Sequence, residues 1–339
     1  MNMMRWFRRR WGSSPLFSTG AALVVMIALQ TLALGFGFSS AGEWLNRWVM
    51  NWLNILRNNA GIGIIALGMT FVIISGGIDL AVGSTLVAVG AMVMVLIDTG
   101  PRGALLSLGI SGVSAYIIGI IAGIIMGGVL GELTGILVTR GKLPPFIATL
   151  GTMKICRSVT QHFMQGYTPS VPKPFLQIAS LKVGGQLIMP IVYWMVCAVI
   201  FYVVSKRTAF GRHVIAVGSN ERAARLSGVN VQRVKRMVYT LMGVMVAVSA
   251  ILQVSRIGSM DYANAGSGNE MDAISAVIVG GTSMSGGRGF ILGTVLGTLI
   301  IAVMNNLLNL VGVPPFLREA FKGVIVIGAV LLQKREATS

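Results

Sequence analysis

Ser219-Asn220-Glu221-Arg222-Ala223-Ala224-Arg225-Leu226-Ser227-Gly228 lies inside a basic segment, residues 206–236, that separates two long apolar runs. The segment carries Lys206, Arg207, Arg212, Arg222, Arg225, Arg233, Lys235 and Arg236, eight of the 27 Lys and Arg in the chain. Basic residues clustered between hydrophobic runs mark a cytoplasmic loop of a membrane protein. Within it, Ser219 or Asn220 can cap a helix N-terminus, Glu221 suits the first turn, and Gly228 can end the helix. The reading gives a short exposed helix with a small-residue face of Ala223, Ala224 and Ser227. A membrane bundle gains little stability from such a helix. Docking onto a soluble partner is a use for it.

Composition places the rest of the chain in the membrane. Of 339 residues, 54% are hydrophobic and only 11% charged, against about 25% charged in ordinary globular domains. The net charge of +17 sits in short clusters beside apolar runs, which argues against a nucleic-acid partner. Cys156 and Cys197 stand in apolar surroundings and offer no disulfide framework. Two distant histidines, His162 and His213, supply neither a metal site nor a catalytic base system. No catalytic residue, cofactor or metal is expected.

A helix needs about 20 apolar residues to span a bilayer. Ten segments qualify, near 17–38, 58–76, 80–97, 104–127, 144–163, 187–205, 237–256, 271–287, 289–311 and 317–333, with 104–139 also readable as one long helix. The expected fold is an all-α polytopic membrane protein of about ten spans, one permease-like domain over residues 1–339. The first apolar run follows Arg5, Arg8, Arg9 and Arg10 and reads as a retained helix rather than a cleaved signal. With Arg140, Lys142, Arg288, Lys334 and Arg335 joining the cluster at 206–236 on one side, both termini are expected in the cytoplasm. Trp44, Trp48 and Trp52 share one helical face. Residues 41–57 therefore read either as a helix lying at the interface or as an extension of a neighbouring one. Leu143-Pro144-Pro145-Phe146 echoes in Val313-Pro314-Pro315-Phe316, five spans later, as inverted halves would.

Two glycine pairs interrupt the apolar runs. Gly76-Gly77 precede Asp79, and Gly280-Gly281 open a loop ending Gly286-Gly287-Arg288-Gly289. Freed backbone groups at membrane depth must be satisfied by protein or water, so such breaks line interior paths. Asp79 reads either as a cap accepting from amides near Val82 or as a polar group on a pathway. Glu132 either lines a hydrophilic channel or pairs with a cation such as Lys154 or Arg157. Gly119, Gly123, Gly127 and Gly131, like Gly293 and Gly297, are spaced at four and predict tight helix contacts. The loop at 280–289 lacks the Gly-Lys-Ser/Thr of a phosphate cradle, so any ATP belongs to another chain.

Longer blocks resemble a known family. They include Gly68-Met69-Thr70-Phe71-Val72-Ile73-Ile74-Ser75-Gly76-Gly77-Ile78-Asp79-Leu80, Leu143-Pro144-Pro145-Phe146-Ile147-Ala148-Thr149-Leu150-Gly151-Thr152 and Thr208-Ala209-Phe210-Gly211-Arg212. Ala216-Val217-Gly218, Ser227-Gly228-Val229-Asn230, Met271-Asp272-Ala273-Ile274 and Gly280-Gly281-Thr282-Ser283 follow in the same order. Together they resemble the permease subunit of bacterial simple-sugar ABC importers of the ribose and galactose type, over residues 50–333. The resemblance implies a type II importer-like permease in the inner membrane. It works beside a second permease copy or relative, with cytoplasmic ATP-binding subunits and an external sugar-binding protein. Arg222, Ala223, Ala224, Arg225, Ser227 and Gly228 would form the coupling helix, although Arg222 stands where the importer pattern has Glu, and Thr134 where relatives often have Asn. Gly76, Gly77, Asp79, Glu132, Gly280 and Gly281 are the candidate path and break residues. A permease of the same architecture for branched-chain amino acids, nucleosides or autoinducers is the alternative. An ion-coupled transporter would need more buried acids, and an enzyme would need convergent catalytic groups.

Overall fold

The computed structural model describes residues 15–35, 40–314, 317–324 and 327. Helices α1 (Pro15–Leu34), α2 (Ala41–Ile74), α3 (Val82–Ile97), α4 (Val113–Thr139) and α5 (Pro145–Met164) come first. After the short α6 (Lys173–Ser180) and a two-residue hairpin, Lys182–Val183 with Gln186–Leu187, come α7 (Met189–Arg207), α8 (Ala209–Ser219) and α9 (Glu221–Leu226). Then follow α10 (Val231–Ile257), α11 (Asn269–Val279) and α12 (Ile291–Leu310). Residues 317–324 are helical again. Among the described residues, α2, α4, α7, α10 and α12 are long and apolar enough to cross a membrane.

The core gathers around α10, which packs against α2, α3, α4 and α6. A methyl group placed on Gly127 or Gly131 of α4 would overlap the carbonyl oxygen of Gly243 or Tyr239, and one on Gly243 would overlap Gly127 O. The glycine series therefore does what its spacing predicts: it brings α4 and α10 into backbone contact. Without a water-driven hydrophobic force between helices in lipid, such close van der Waals approach is a main source of packing energy. The opposite face of α4 leaves Ile117, Ile121, Ile125, Val129 and Leu133 exposed. In a membrane protein that face suits lipid or another apolar helix.

Of the two readings of residues 41–57, the extension of a neighbouring helix holds, and other expectations are corrected. These residues are the first half of the 34-residue α2, whose Ser40 cap accepts from Glu43 N at 3.2 Å. Trp44 Nε1 donates to Gly35 O at 3.0 Å and Trp48 Nε1 to Thr31 Oγ1 at 3.1 Å, so the tryptophans tie α2 to α1. The segment 104–127 starts its helix only at Val113, after a loop and one 3-10 turn. The segment 271–287 is no complete span. Its helix, α11, has 11 residues, about 16 Å, because Gly280 and Gly281 stop it. Pro144 and Pro145 begin α5, whereas Pro315 and Phe316 of the echo lie outside the described residues.

Candidate functional site

Helix α3 is short as well, with 16 residues, and α3 and α11 begin at the same place. Contacts fix their level. Along α10, Gly131 of α4 meets Tyr239, Gly127 meets Gly243 and Gly123 meets Ile251, so α4 runs antiparallel to α10. Gly119 and Gly123 face Ile97 and Val93 in turn, which makes α3 antiparallel to α4 and parallel to α10. Gly90 lies against Val254. Seven residues back, Gly83 stands level with the middle of α10. There a methyl group on Gly83 would overlap Gly266 O, and one on Gly266 would sit 2.6 Å from Gly83 O. Gly266 leads directly into α11. Two half-helices thus start back to back at mid-height and run to opposite ends, each pointing its N-terminal, partially positive end at the middle of the bundle.

The approach to α3 is the first glycine break. Ser75-Gly76 turn the chain at the end of α2, with Gly76 at φ +81° and its N–H donating to Ile73 O at 2.9 Å. Asp79, 6% exposed, accepts from Ala81 N at 2.8 Å. The amide it takes is next to Val82, as the capping reading expects, although the bond closes the turn ahead of α3 and leaves the first turn of the helix without a side-chain cap. Tyr239 Oη, buried and without a partner among the described residues, would lie 2.5 Å from a methyl on Gly77. On the other side, Arg157 of α5 donates to Ala265 O at 2.7 Å and Tyr262 O at 3.3 Å, holding the loop that brings Gly266 to Gly83.

The second break, 280–290, follows α11 and reaches the end of the bundle where α9 sits. Gly287 N donates to Ile74 O at 2.9 Å. Gly218 of α8 fits between them: a methyl there would overlap Ile74 O and approach Gly287 N to 2.7 Å. Both glycine breaks and the helix entering α9 therefore meet at one backbone junction. Asn220 caps α9 by accepting from Ala223 N at 2.9 Å. Gly228, at φ +82°, ends it, with Val229 N donating to Ala224 O at 3.0 Å in the left-handed closure that glycine allows. Glu221 accepts from Lys235 at 2.7 Å and from Arg225 at 3.3 Å. The Lys235 contact, aided by Arg225, holds the Glu221 carboxyl below the usual range and fastens α9 to α10.

One predicted docking residue points the wrong way. Ala224 is 4% exposed and packs inward, in one cluster with Val214, Val217, Val231 and Val234. Arg222, Ala223, Arg225, Ser227 and Gly228 remain outside. Leu226, not singled out from the sequence, is 85% exposed, an apolar side chain on the same outer surface as Arg222, Ala223 and Arg225.

The family described as "Branched-chain amino acid transport system / permease component" matches residues 51–330. The chain belongs to that family. The ribose import permease protein RbsC of Bacillus subtilis (strain 168) is 42% identical to this permease over 297 residues, covering 85% of this chain and 86% of that protein. RbsC of Escherichia coli (strain K12) is 35% identical over 98% of this chain and 97% of its own. The galactofuranose transporter permease protein YtfT of the same strain is 35% identical over 85% and 80%. No solved structure matches. The permease is thus a multi-pass inner-membrane subunit of an ABC importer, a kind of protein that works with ATP-binding and solute-binding partners.

Three ion pairs complete the permease framework. Glu132 pairs with neither Lys154 nor Arg157. It accepts from Arg236, with Nε at 2.7 Å, and from Thr240 Oγ1 at 2.8 Å. The cation comes from α10 because the glycine seam brings that helix against Glu132. Asp272 in the first turn of α11 meets Lys322 at 2.8 Å, and Lys322 also meets Glu319 at 2.9 Å. Lys322 carries no signal in the sequence, being one lysine in an apolar run. Facing the other way, Gly297 packs its α-carbon on Ala276 O and Gly280 on Gly293 O, so α11 is held on α12 backbone to backbone. Among the described residues no group of three or more His, Cys, Asp or Glu could hold a metal ion.

Proposed function

We propose that the permease forms the path for a monosaccharide in an ATP-driven importer. Cytoplasmic ATP-binding subunits dock on α9, an external sugar-binding protein delivers the solute, and a second copy or close relative completes the path. In this reading the α9 end and both chain termini face the cytoplasm. The relatives named for ribose and galactofuranose support the sugar, and they cover most of the chain.

The observation that carries the mechanism is the junction of Gly218 with Ile74 and Gly287. Six residues of exposed helix are too small to move a bundle by themselves. Fastened to α10 through Glu221 and Lys235, and joined through α8 to both breaks, α9 becomes a lever. ATP binding draws the motor subunits together and shifts α9. Gly218 then displaces the ends of α2 and the 280–290 turn, and the half-helices that meet at Gly83 and Gly266 move with them. Arg222, Ala223, Arg225, Ser227 and Gly228 supply the docking surface around Leu226, while Ala224 sets the height of the helix. Gly280 and Gly281 open the turn that moves, and Gly76, Gly77 and Asp79 form the stiffer turn to which it is fastened. Glu132 steadies the root of α10.

Leu226→Asp tests this. The substitution places a charge where a partner would bury an apolar side chain and touches nothing inside the permease. Membrane insertion and melting temperature should stay unchanged while ATP-driven sugar uptake in proteoliposomes falls at least about tenfold, the effect of losing one buried anchor. Normal uptake by this variant would remove α9 as the docking element. Uptake of L-leucine in place of any sugar would favour a branched-chain amino acid solute, the one that the family description names.

A further inference from the structure

Between α2 and α10, on the side away from α9, lies an open cavity of about 170 Å³ lined by Arg57, Asn58, Ser249, Gln253, Arg256 and Asn269, with Gly61, Ile62, Leu252 and Ile257. None of these residues belongs to the breaks, the junction or α9. We propose that this cavity is a binding station for a neutral polyhydroxylated monosaccharide within the permease itself. The proposal rests on the importer reading above and adds a defined sugar site to it.

Three observations carry the inference. The first is concentration of polar groups. Six polar side chains line one small space between two helices that are otherwise apolar where they touch. In membrane-spanning helices polar side chains are costly unless they face water, a partner or a solute. The second is their chemistry. Arg57 Nη2 donates to Asn54 Oδ1 at 2.7 Å and Arg256 Nη1 to Arg57 O at 3.2 Å. No carboxylate pairs with either arginine among the described residues. Asn58, Gln253 and Asn269 make no side-chain hydrogen bond to any described residue. An anion site needs donors alone. Here three amides bring carbonyl acceptors beside guanidinium and amide donors, and a hydroxyl, which both donates and accepts, uses both kinds. Gly61, Ile62, Leu252 and Ile257 supply the apolar wall that a sugar's C–H face requires, as in small-molecule sites generally.

The third observation is position. Ser249, which donates to Gly61 O at 3.1 Å, lies just beyond the middle of α10. Arg256 is one residue from its far end. Asn269, the first residue of α11, forms part of the wall. The cavity thus opens toward the end that faces the binding protein and ends at the half-helix whose start meets Gly83. A sugar released from outside would rest on Arg57, Asn58, Gln253 and Arg256 until α11 moves.

The test is saturation-transfer NMR on the permease with its ATP-binding subunits in nanodiscs. The probes are D-ribose, D-galactose, ribose 5-phosphate and L-leucine, and sugar uptake is measured in the same preparation. Saturation should reach the protons of ribose or galactose in the parent protein. It should fall about fivefold in Asn58→Leu and in Gln253→Leu, the size of one hydrogen bond lost. Asn58 is exposed, so its variant reports even if Gln253→Leu fails to fold. Sugar uptake without sugar saturation, equal saturation in both variants, or a stronger signal from ribose 5-phosphate or leucine would overturn the sugar station and leave the importer standing. Absence of sugar uptake by the parent protein would instead sink the importer reading, and the station with it.

Discussion

The turns at 75–81 and 280–290 share a sequence signature, an apolar helix cut by a glycine pair, yet they are built differently. The first is an interior turn. Asp79 and Gly77 are buried, the turn is closed by Asp79 and Ala81, and it leads straight into α3. The second stands at the end of the bundle, with Met284, Ser285 and Arg288 exposed. It has bonds of its own, Ser283 N to Arg288 O at 3.0 Å and Gly286 N to Ser283 O at 3.1 Å, and is also fastened to another element, through Gly287 on Ile74 and Gly218. A turn satisfied by its own side chain is stiff. A turn fastened to a neighbouring helix moves when that helix moves. The comparison assigns hinge rigidity to the first break and transmission to the second.

Gly218→Val should have the largest effect. Its side chain must displace Ile74 O and Gly287 N together, so uptake should fall by more than about tenfold, since overpacking a closed junction costs about 1–3 kcal/mol in either state that keeps it. The permease should still insert, as checked by expression and fluorescence-detected gel filtration. Full transport would show that the second turn transmits nothing. Gly77→Ala comes next. Its methyl faces Tyr239 Oη at 2.5 Å, and a loss of about 1–2 kcal/mol should appear as a lower melting temperature. Tyr239→Phe removes a buried hydroxyl that has no partner among the described residues and should be neutral or stabilising alone. Combined with Gly77→Ala it should restore most of the loss, and additive effects would mean the two residues do not touch.

Gly76→Ala should cost less, about 1 kcal/mol. Nothing lies within 4 Å of the added methyl, and only the φ of +81° is strained. A change in transport larger than that from Gly218→Val would reverse the roles given to the two turns. Glu221→Gln should be the mildest, because Glu221 is 45% exposed and its pairs with Lys235 and Arg225 are solvent-screened. Hydrogen exchange of the α9 amides should quicken about twofold at neutral pH. The Glu221 pKa is lowered in the folded protein. Its stabilisation is therefore complete above the ordinary glutamate pKa and disappears as pH falls through the lowered one. Parent and variant should exchange alike in acid, and a difference that persisted there would assign the effect to something other than the carboxylate.

At the end opposite α9, Asp98 shows how an external turn is locked in this chain. Burial pushes its pKa up, but Tyr167 Oη at 2.5 Å and the amides of Gly100 and Ser170 at 2.8 and 2.7 Å outweigh that and hold the carboxyl below its usual value. No motif announced this lock, because Asp98 and Tyr167 are distant in sequence and meet only when α3 and α5 pack.

Local chemistry made much of the protein legible in its residues. Asn220, Glu221 and Gly228 define α9 because capping depends on neighbours within one turn. The four-residue glycine spacing defines the α4 seam because it is a property of one helix face, and the paired glycines mark the ends of α2 and α11 because no long-range contact can keep a helix going where freed backbone groups turn away. Tertiary packing alone decided the rest. It chose Arg236 over Lys154 and Arg157 for Glu132, turned Ala224 inward and Leu226 outward, and gave Asp272 to Lys322. It also set the starts of α3 and α11 against each other at Gly83 and Gly266. Each of these joins residues from different helices, and the depth and rotation of one helix against another are fixed by how closely their backbones approach, which no single stretch of sequence contains.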